Sequence, residues 1–525
     1  MKAIRSTNEL FSAAVSFHRA GRLEEALRLY DAVLKAHPSH IAARHFRGIV
    51  LYGLDRPVEA IHSYNQALAL CPDDAEIHFN RGNALRDLRR LVDALASYGH
   101  AIAVRPDYAE AHNNRGVTLR DLNRYAHARD SFERALALKP EYVRAHNNRG
   151  FVLQGLSLTH EALVNYDRAI SLKSDYAEAF YNRGNILQEL ARFDESLASY
   201  NAAIARRPDY AEAHFNKSLL LLRSGDYEAG WPLYEWRRKC PQLENRPERF
   251  SQPLWLGDRV LNALTILIHA EQGIGDTIQF VRYVPKLTEQ GAQVILEVPP
   301  PLVSLMTSRW AGVAVIGQGD PLPQFDLHCP LMSLPMAFRT TLSTVPSEVP
   351  YLSADPERRN AWRAHLGSRS QTRVGLVWSG NPLHSSDAQR SLPISLLARF
   401  LPVGCEYHCL QKEVRPEDRT ALREIPYICI HDVHLTDFSD TAALIAVMDL
   451  VIAVDTAVAH LAGALGTELW VLLPHSADFR WLLACEDSPW YPTARLFRQT
   501  RRGEWIPVLE QIRDKLQAKL LSDLA

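Results

Sequence analysis

Residues 106–140, PDYAEAHNNRGVTLRDLNRYAHARDSFERALALKP, carry the pattern that decides the fold of the first half of the chain. An aromatic residue near the end of this pattern recurs every 34 residues, at Tyr30, Tyr64, Tyr98, Phe132, Tyr166, Tyr200 and Tyr234. A small residue stands four positions earlier each time, at Ala26, Ala60, Ala94, Ala128, Ala162, Ser196 and Gly230. Glycine recurs at Gly48, Gly82, Gly116, Gly150 and Gly184, and proline at Pro38, Pro72, Pro106, Pro140 and Pro208.

The period and the order of small, aromatic and proline residues resemble the tetratricopeptide repeat, a helix–turn–helix unit of about 34 residues. Small residues let two helices approach closely, the aromatic ring fills the gap, and proline ends the second helix. The sequence therefore predicts an all-α superhelix of seven repeats over residues 7–244. We expect an Asp-x-x-Glu motif to form a capping box at the start of first helices, at Asp73/Glu76, Asp107/Glu110, Asp175/Glu178 and Asp209/Glu212.

The period vanishes after Glu244, and short apolar runs then alternate with helical patterns. Such alternation is typical of βαβ units around parallel sheets, and the remaining length suits two α/β domains. We predict a linker over residues 245–262, a first Rossmann-like domain over 263–350 and a second over 351–525 that ends in a helix. Three prolines at 346, 350 and 356 mark the joint between the two domains.

Composition excludes several function classes. Lys and Arg total 59 against 60 Asp and Glu, so no basic field predicts a nucleic-acid or anionic-membrane partner. No apolar run reaches membrane-spanning length, and the N-terminus enters the repeat register without a signal-peptide pattern. Seven scattered cysteines suit reduced thiols in the cytoplasm, and those near 405–429 lack the spacing of a zinc site.

One asparagine position recurs on the first helix of successive repeats, the helix that lines the concave face of such a superhelix. A carboxamide carries both donors and an acceptor, so a ladder of them would grip an extended acceptor peptide through its backbone. The alternative is that each asparagine bonds locally between neighbouring helices. The ladder consists of Asn80, Asn114, Asn148, Asn182 and Asn216.

Three stretches of the second half end a predicted strand in small or polar residues, where α/β domains bind ligands. The first, TILIHAEQGIGD at residues 265–276, places Gly273 and Gly275 in a tight turn before a helix that starts near Asp276. Helix–strand packing alone also explains this glycine pair, and a helix cap alone explains Asp276.

The second stretch, residues 373–393, runs from a strand into a turn of Ser379, Gly380 and Asn381. Arg390 stands just ahead of the following helix, and a guanidinium beside a helix N-terminus suits a diphosphate. A solvated surface arginine is the alternative.

The third stretch, LVIAVDTAVAHLAGALG at residues 450–466, delivers an acid to the carboxyl end of an apolar strand. Asp455 there suits sugar or ribose hydroxyls, and the backbone amides at Thr456 and Ala457 face phosphate at the start of a helix. His460 lies one turn along that helix, where a buried core histidine is the alternative.

Together the motifs Gly-Asp-(x)8-Pro at 275–285, Arg-x-x-Pro at 390–393 and Asp-Thr-Ala-x-Ala-His at 455–460 resemble glycosyltransferases related to ADP-heptose:lipopolysaccharide heptosyltransferases (glycosyltransferase family 9). The resemblance implies the GT-B fold, with two Rossmann-like domains and a donor cleft between them. The whole layout resembles bacterial tetratricopeptide glycosyltransferases and, more distantly, the O-linked GlcNAc transferases, whose asparagine ladder feeds polypeptide to the active site.

The resemblance also implies roles for single residues. Asp276 matches the family's proposed catalytic base, and Arg390 stands where the family usually has a lysine that contacts the donor diphosphate. The family's Asp-Thr-Gly donor motif is here Asp455-Thr456-Ala457, and the missing glycine leaves the identity of the donor open. No Asp-x-Asp motif occurs, so Arg390 and a helix dipole replace a divalent metal in this interpretation.

The sequence thus predicts a metal-independent, cytoplasmic glycosyltransferase that moves a sugar from a nucleotide-sugar donor to a protein acceptor held by the repeats. No cofactor is expected, and homo-oligomerisation is left open. Two alternatives remain: an interaction scaffold with a degenerate transferase half, and a lipopolysaccharide or glycan transferase. The donor contacts would be Gly273, Gly275, Ser379, Gly380, Asn381, Arg390, Asp455, Thr456, Ala457 and His460.

Overall fold

The computed structural model describes residues 6–240, 249–307, 309–384, 386–483 and 485–523. The chain forms two compact units, one up to Ala213 and one from His214. The first is a helical repeat array, and the second is an α/β region with two all-parallel sheets. The predicted fold class, helical repeats followed by two parallel-sheet layers, is confirmed.

Paired helices of nearly constant length build the first unit. They are α1 Thr7–Arg19, α2 Leu23–Ala36, α3 Ile41–Gly53, α4 Pro57–Leu68, α5 Ala75–Asp87, α6 Leu91–Val104, α7 Ala109–Asp121, α8 Tyr125–Leu138, α9 Val143–Gly155, α10 Thr159–Leu172, α11 Ala177–Glu189 and α12 Phe193–Arg206. The next helix, α13 (Ala211–Ser224), contains the boundary between the two units.

The recurring glycine and aromatic residues interlock within each repeat. Tyr98 is fully buried, and a Cβ at Gly82 would lie 2.6 Å from its ring. The same contact joins Gly116 to Phe132 at 2.7 Å. Because a ring fills the space that any side chain at these glycines would need, the two helices of a repeat pack at one fixed separation.

The predicted capping boxes are wrong at three first helices. The N-cap of α5 is Asp74, whose side chain accepts from the backbone N–H groups of Glu76 and Ile77. Tyr108 and Tyr176 occupy the N-cap positions of α7 and α11, without a side-chain capping bond. Each of these helices starts one residue later than the Asp-x-x-Glu register requires, so the leading aspartates lie in the preceding turns.

The second unit starts with the remainder of α13, then α14 (Tyr227–Tyr234) and a 3-10 helix (Glu235–Lys239). The predicted repeat region extends to residue 244, whereas the compact boundary lies at residue 213. Trp231 is 2% exposed and packs edge-on against Phe280, Phe479 and Trp490, so this last helix is part of the α/β core.

The first sheet has four strands in the order β3-β2-β1-β4. Its strands are β1 Thr265–His269, β2 Gln293–Val298, β3 Val313–Gly317 and β4 Leu327–Pro330. Its helices are α15 Ile274–Phe280, α16 Val284–Glu289, α17 Val303–Met306 and α18 Leu334–Ala337. The β1–β2 register pairs Thr265 with Gln293 and continues in parallel to the end of β1.

The second sheet has six strands in the order β10-β9-β8-β5-β6-β7. Its strands are β5 Thr372–Val377, β6 Cys405–Cys409, β7 Ile428–Ile430, β8 Leu450–Val454, β9 Leu469–Leu473 and β10 Ala494–Arg498. The accompanying helices are α19 Pro356–Leu366, α20 Asp387–Arg390, α21 Ile394–Ala398, α22 Pro416–Leu422, α23 Phe438–Ile445, α24 Ala457–Ala464 and α25 Ile506–Asp523. β5 and β8 are buried at every position, as expected for central parallel strands.

The predicted linker over residues 245–262 lies partly outside the described residues, and the part from 249 onward packs on the first sheet. Trp255 is 1% exposed, and its backbone N–H donates to the His328 carbonyl in β4 at 2.8 Å. Arg249 forms two 2.7 Å hydrogen bonds with the fully buried Glu297. No helix among the described residues is long and apolar enough to cross a membrane.

Candidate active site

The site lies at the carboxyl ends of β5 and β8, which are neighbours in the second sheet. The chain continues from β5 to β6 on one side and from β8 to β9 on the other, so the connections diverge there. A crevice opens at such a switch point in parallel sheets, and ligands bind there. The predicted turn at Ser379 follows β5, and Asp455 follows β8.

Arg390, the last residue of α20, reaches across this crevice. Its Nη1 donates to the backbone carbonyl of Asp455 at 2.9 Å. A Cβ at Gly380 would lie 2.7 Å from Arg390 Nη2, so glycine at this turn makes room for the guanidinium. The Nε of Arg390 is buried and has no hydrogen-bond partner among the described residues. The structure thus brings the second and third predicted stretches together through one cation.

The turn after β5 is shaped by its own hydrogen bonds. The Gln411 carbonyl oxygen accepts from the backbone N–H of Ser379 at 3.1 Å, and its amide donates to Ser379 Oγ at 3.0 Å. Asn381 Oδ1 accepts from the backbone N–H of Leu383 at 3.0 Å. Ser379 and Asn381 therefore hold the loop in shape, and their donor contacts stay a prediction.

A second arginine, Arg415, supports the same loop. Its Nη2 donates to the Gly380 carbonyl at 3.0 Å and forms an ion pair with the buried Asp387. Asp387 also accepts from Ser391 Oγ at 2.7 Å, and Ser391 Oγ accepts from the Gly380 N–H at 3.0 Å. Two guanidinium groups thus flank Gly380, which concentrates positive charge where β5 ends.

Asp455 is the acid at the end of β8, and its side chain is 16% exposed. Burial raises the pKa of Asp455 to about 6, and repulsion from Asp478 adds to this rise, while Arg480 and Arg390 oppose it. Thr456, the next residue, is the N-cap of α24 and donates from Oγ1 to the Val454 carbonyl at 3.2 Å. The first backbone amides of α24, including that of Ala457, open toward this end.

His460 lies on the buried side of α24. Its Nδ1 is 2.9 Å from the hydroxyl of Tyr491, its ring stacks on Trp481 at 5.5 Å, and its Nε2 is 3.8 Å from Asp455 Oδ1. Burial, together with nearby arginines, lowers the pKa of His460 well below its usual value. A neutral His460 therefore packs beneath Asp455, as the core-histidine alternative requires, and its Nε2 is too far from the carboxylate for a hydrogen bond.

The first predicted stretch joins the other two through Gly275. A Cβ at Gly275 would lie 2.8 Å from His460 Cδ2 and 3.5 Å from Ala457 Cα. Glycine here lets α15, which follows β1 of the first sheet, pack directly on α24 of the second. This close approach brings Asp276 of α15 to the crevice, where it pairs with Arg480.

Asp276 is the third residue of α15, and both its oxygens have partners. Oδ2 accepts from the backbone N–H of Gly273, the N-cap residue of α15, at 2.7 Å. Oδ1 forms an ion pair with Arg480. The capping alternative is thus present in the structure, and the carboxylate is also held by a buried cation at the crevice.

Arg480 belongs to the site but was not among the residues predicted from the sequence. It is 7% exposed and contacts Asp276, Gln279 and Asp478, with the Asp478 bond at 2.7 Å. It lies in the loop after β9, outside all three predicted stretches. The available signal was an acid–arginine pair in a loop that follows an apolar strand, since such loops line the same sheet edge.

Tyr491, in the tail segment of residues 489–493 that precedes β10, was also missed. Besides His460, it packs under the guanidinium of Arg282, at 4.7 Å from the ring centre. Arg282 is 4% exposed and donates to the carbonyls of Pro346 and Trp490 at 2.9 and 2.6 Å. The tail and the interdomain joint thus meet behind the site.

The asparagine ladder lies in the repeat unit and is engaged between repeats. Asn80 Nδ2 lies 2.9 Å from His45 Nε2, and Asn114 Nδ2 donates to Asn83 Oδ1 at 2.8 Å. Asn148 and Asn182 donate to Asn113 and Asn147 at 3.2 and 3.0 Å, and Asn216 on α13 is also not free. This is the local bonding of the structural alternative. In Asn80, Asn114, Asn148 and Asn182 one carboxamide N–H is used this way, so peptide binding through the remaining groups stays a prediction.

Comparison with known protein families agrees with these observations. Tetratricopeptide-repeat profiles match residues 10–40, 59–88, 79–143, 159–191 and 181–242. The profile of glycosyltransferase family 9 (heptosyltransferase) matches residues 423–481. That match includes Asp455, His460 and Arg480, while Asp276 and Arg390 lie outside it.

Similar proteins match parts of the chain. "Protein FlbA" of Caulobacter vibrioides (strain ATCC 19089 / CIP 103742 / CB 15) is 28% identical over 327 residues, which cover 57% of this chain and 54% of FlbA. The chain thus spans about half the length of this curated relative. Solved structures of MamA, of the type IV pilus biogenesis factor PilW and of a tetratricopeptide repeat protein from Parabacteroides merdae ATCC 43184 are 24%, 22% and 19% identical.

These three structures cover 33%, 41% and 46% of this chain and 94%, 99% and 94% of their own, with TM-scores of 0.31, 0.37 and 0.39. No function is transferred from them. The repeat profiles, the family 9 profile and the FlbA match instead agree with the sequence motifs. The chain therefore joins tetratricopeptide repeats to a glycosyltransferase family 9 (heptosyltransferase) domain, the layout of the tetratricopeptide-repeat glycosyltransferases.

Proposed function

We propose that this chain transfers a sugar from a nucleotide-sugar donor to a protein acceptor, through a GT-B active site that needs no divalent metal. The observation that carries the proposal is the convergence of Asp276, Arg390, Asp455 and Arg480 at one crevice, built from α15, α20, the end of β8 and the loop after β9. Acids beside fixed guanidinium groups suit the transfer of a sugar away from a diphosphate.

The donor diphosphate would bind at the end of β5 and the start of α24. Arg390 offers a guanidinium held in place by the Asp455 carbonyl, and α24 offers its first backbone amides with the positive end of a helix dipole. Both groups stabilise the charge that builds up on the departing diphosphate, which is the role that a metal ion has in other transferases.

Asp276 would deprotonate the acceptor hydroxyl. In the structure its ion pair with Arg480 occupies one carboxylate oxygen, and the Gly273 N–H occupies part of the other. A bound diphosphate would attract Arg480 away from Asp276, since a guanidinium binds phosphate bidentately. Donor binding would thus free the base just when the acceptor needs it, and displacement by the activated hydroxyl would invert the anomeric centre.

The repeat unit would recruit the protein acceptor. Tetratricopeptide repeats serve protein interaction, and Asn148 and Asn182 of the asparagine ladder each donate one carboxamide N–H to a neighbouring repeat and keep a second N–H for a peptide. The seven cysteines form no disulfide among the described residues and suit a reducing compartment, so we place the reaction in the cytoplasm. Lipopolysaccharide or another glycan is the second candidate acceptor, favoured by the heptosyltransferase match itself.

A calorimetric titration tests the donor site. Nucleoside diphosphates and nucleotide sugars are titrated into the full chain in the presence of EDTA. At least one should bind, and Arg390→Ala should weaken it by about 1.5–3 kcal/mol, the usual contribution of a hydrogen bond to a charged group. Arg369→Ala is the control, because Arg369 is 59% exposed and pairs with Asp449. Absence of binding to the unmodified chain would favour a scaffold with a degenerate transferase half.

A further inference from the structure

An arginine recurs on the first helix of five successive repeats, at Arg47, Arg81, Arg115, Arg149 and Arg183. Three of these arginines pair with an acid sixteen residues earlier, on the second helix of the preceding repeat. Arg47 Nε bonds Asp31 at 2.7 Å, Arg149 Nη2 bonds Glu133 at 2.9 Å, and Arg183 Nε bonds Asp167 at 2.6 Å. The ion pair is thus a regular feature between repeats.

Arg81 and Arg115, the two arginines in the middle, lack this acid. The positions sixteen residues earlier are Asn65 and Gly99. Arg81 Nη1 donates to Ser97 Oγ at 3.3 Å, while its Nε is buried and has no hydrogen-bond partner among the described residues. The chain therefore carries two neighbouring guanidinium groups without the counter-charge that the flanking repeats supply.

A histidine beside each of these arginines has one ring nitrogen, Nδ1, without a hydrogen-bond partner among the described residues. His78 and His112 are 8% and 6% exposed, and their Nε2 atoms lie 2.8 and 3.1 Å from the carbonyls of Pro72 and Pro106. A carbonyl only accepts, so Nε2 carries the proton and Nδ1 of the neutral ring is an acceptor. Both Nδ1 atoms are buried without a partner among the described residues. In the next repeat, His146 Nδ1 lies 3.4 Å from Asn165 Oδ1.

A cavity of about 450 Å³ lies beside Arg81, between α4, α5 and α6. Asn65, His78, Arg81 and His100 line it, and the rings of His78 and His100 stack at 5.1 Å. The Asp73 carboxylate also lines it, which disfavours a multiply charged phosphate more than a single carboxylate. The lining thus offers a cation for one carboxylate and an acceptor, His78 Nδ1, for an N–H donor.

Gly99 leaves the neighbouring position over Arg115 uncovered. It lies inside α6, where glycine costs about 1 kcal/mol relative to alanine, and a Cβ there would meet nothing within 4 Å. Packing within the repeats therefore does not require glycine at this position. An approaching chain gains access to Arg115 because position 99 carries no side chain that could cover it.

We propose that the surface formed by α4 to α7 around Arg81 and Arg115 binds an acidic segment of a partner polypeptide. Carboxylates of that segment take the places that Asp31, Glu133 and Asp167 hold in the flanking repeats. A peptide N–H of the same segment donates to His78 Nδ1. This binding site is separate from the crevice of the transferase domain and does not depend on sugar transfer.

The experiment compares peptide binding to the unmodified chain with binding to a variant that carries its own acids at positions 65 and 99. A fluorescein-labelled hexaglutamate peptide is titrated into the full chain at low ionic strength and followed by anisotropy. We expect saturable binding, weakened at least tenfold in the double variant Asn65→Asp/Gly99→Asp, in which internal carboxylates occupy both arginines. Arg149→Gln is the matched control and should bind like the unmodified chain, since Glu133 already engages that arginine.

The double variant should fold, because it repeats an ion pair present elsewhere in the array, and its thermal unfolding checks this. Arg81→Gln/Arg115→Gln should lose binding to the same extent. Equal affinity of the double variants and the unmodified chain would overturn the proposal, as would equal binding of hexaglutamine. Binding of inorganic tripolyphosphate without binding of hexaglutamate would assign the arginines to phosphate and would also overturn it.

Discussion

Arg480 is a buried cation at the transferase crevice, and its charge is compensated by several neighbouring groups. Burying a guanidinium costs several kcal/mol unless acids and hydrogen-bond acceptors surround it, and here Asp276, Asp478 and Gln279 do so. Removing one of these partners weakens the compensation of the buried charge, which the remaining partners still contact. Arg480 therefore links the loop after β9 to α15, through its pairs with Asp478 and Asp276, before any substrate binds.

The base is tested by Asp276→Asn. Asparagine keeps the shape of the side chain and accepts from the Gly273 N–H, but it does not remove a proton from an acceptor hydroxyl. We expect turnover to fall about a hundredfold or more while donor affinity, measured by calorimetry, stays close to that of the unmodified chain. Asp258→Asn is the control, since Asp258 is an exposed carboxylate paired with its neighbour Arg259. Near-normal turnover would leave Asp276 only its capping role.

A pH titration of stability tests Asp455. Its pKa is raised to about 6 by burial and by Asp478, so the folded state holds the proton more tightly than the unfolded chain. The stabilisation from the protonated acid is present below the unfolded pKa and is lost as pH rises through the folded value. Asp455→Asn removes this dependence. We therefore expect the variant to gain about 1–3 kcal/mol relative to the unmodified chain between pH 4 and pH 7.5.

Thermal unfolding of both proteins across this pH range provides the measurement for Asp455. Asp437→Asn is not a suitable control, because Asp437 caps α23. Asp258→Asn serves again, since its carboxylate is half exposed. Parallel stability curves for Asp455→Asn and the unmodified chain would show that Asp455 ionises as an ordinary surface acid.

At the scale of helices, glycine has two different uses in adjacent elements. In α5, Gly82 faces the Tyr98 ring so closely that no side chain fits, whereas Gly99 in α6 faces open space. At the transferase crevice, Gly275 lets α15 approach α24, and Gly463 lets the ring of Tyr491 approach α24. Glycine therefore permits a close contact at three of these four positions, between two helices at Gly82 and Gly275 and between a helix and a loop ring at Gly463.

A matched pair of alanine substitutions tests this difference. Gly82→Ala should destabilise the repeat array by about 1–3 kcal/mol, because the new methyl group forces the Tyr98 ring or its helix to move. Gly99→Ala should stabilise the same array by up to ~1 kcal/mol, since alanine is the better helix former and meets no neighbour. Thermal unfolding of the full chain measures both changes. Destabilisation by Gly99→Ala would show that the open space is filled in solution.

Sequence patterns predicted elements well and contacts between distant elements poorly. β8 ends directly before Asp455, as predicted for the third stretch, because a buried parallel strand reads as a continuous apolar run. The first helix after β1 is broken near Val281 into shorter pieces, and the capping boxes failed by one residue. Helix ends depend on local capping geometry that an Asp-x-x-Glu spacing alone does not fix.

In the candidate site, too, residues in local motifs were predicted and residues placed by distant packing were not. Asp276, Arg390 and Asp455 stood out because each follows a predicted strand and belongs to a motif. Arg480 and Tyr491 come from loops whose positions depend on the packing of β9 and β10, which no local pattern reports. The asparagine ladder was visible as a period, but its bonds between repeats required the geometry of adjacent helices.

At the scale of the whole chain, the compact boundary at residue 213 matters for how the transferase region is isolated. Tyr227, Trp231 and Tyr234 of α14 are each at most 2% exposed and pack in the same core as Phe280 and Trp490. The Trp490 indole donates to the hydroxyl of Tyr227 at 2.9 Å. A boundary drawn from the repeat period alone would remove these side chains.

Two truncations test this boundary. A chain of residues 214–525 should fold and bind a nucleoside diphosphate as the full chain does. A chain of residues 245–525 should expose the apolar faces of Phe280, Phe479 and Trp490, bind the dye ANS and aggregate. Circular dichroism and light scattering compare the two. Equal solubility and donor binding of both truncations would show that α14 is dispensable for the α/β core.

The glycine–aromatic interlock has a consequence for how the gene can change in length. Each interlock closes within one 34-residue unit, and each inter-repeat ion pair spans sixteen residues across one junction. Duplication or loss of a whole unit in the coding sequence keeps every ring opposite its glycine and every arginine opposite the same position of its neighbour. An insertion of any other length within a unit separates one ring from its glycine. Related genes should therefore differ in array length by whole units, and a chain that gained one would inherit its register unaltered.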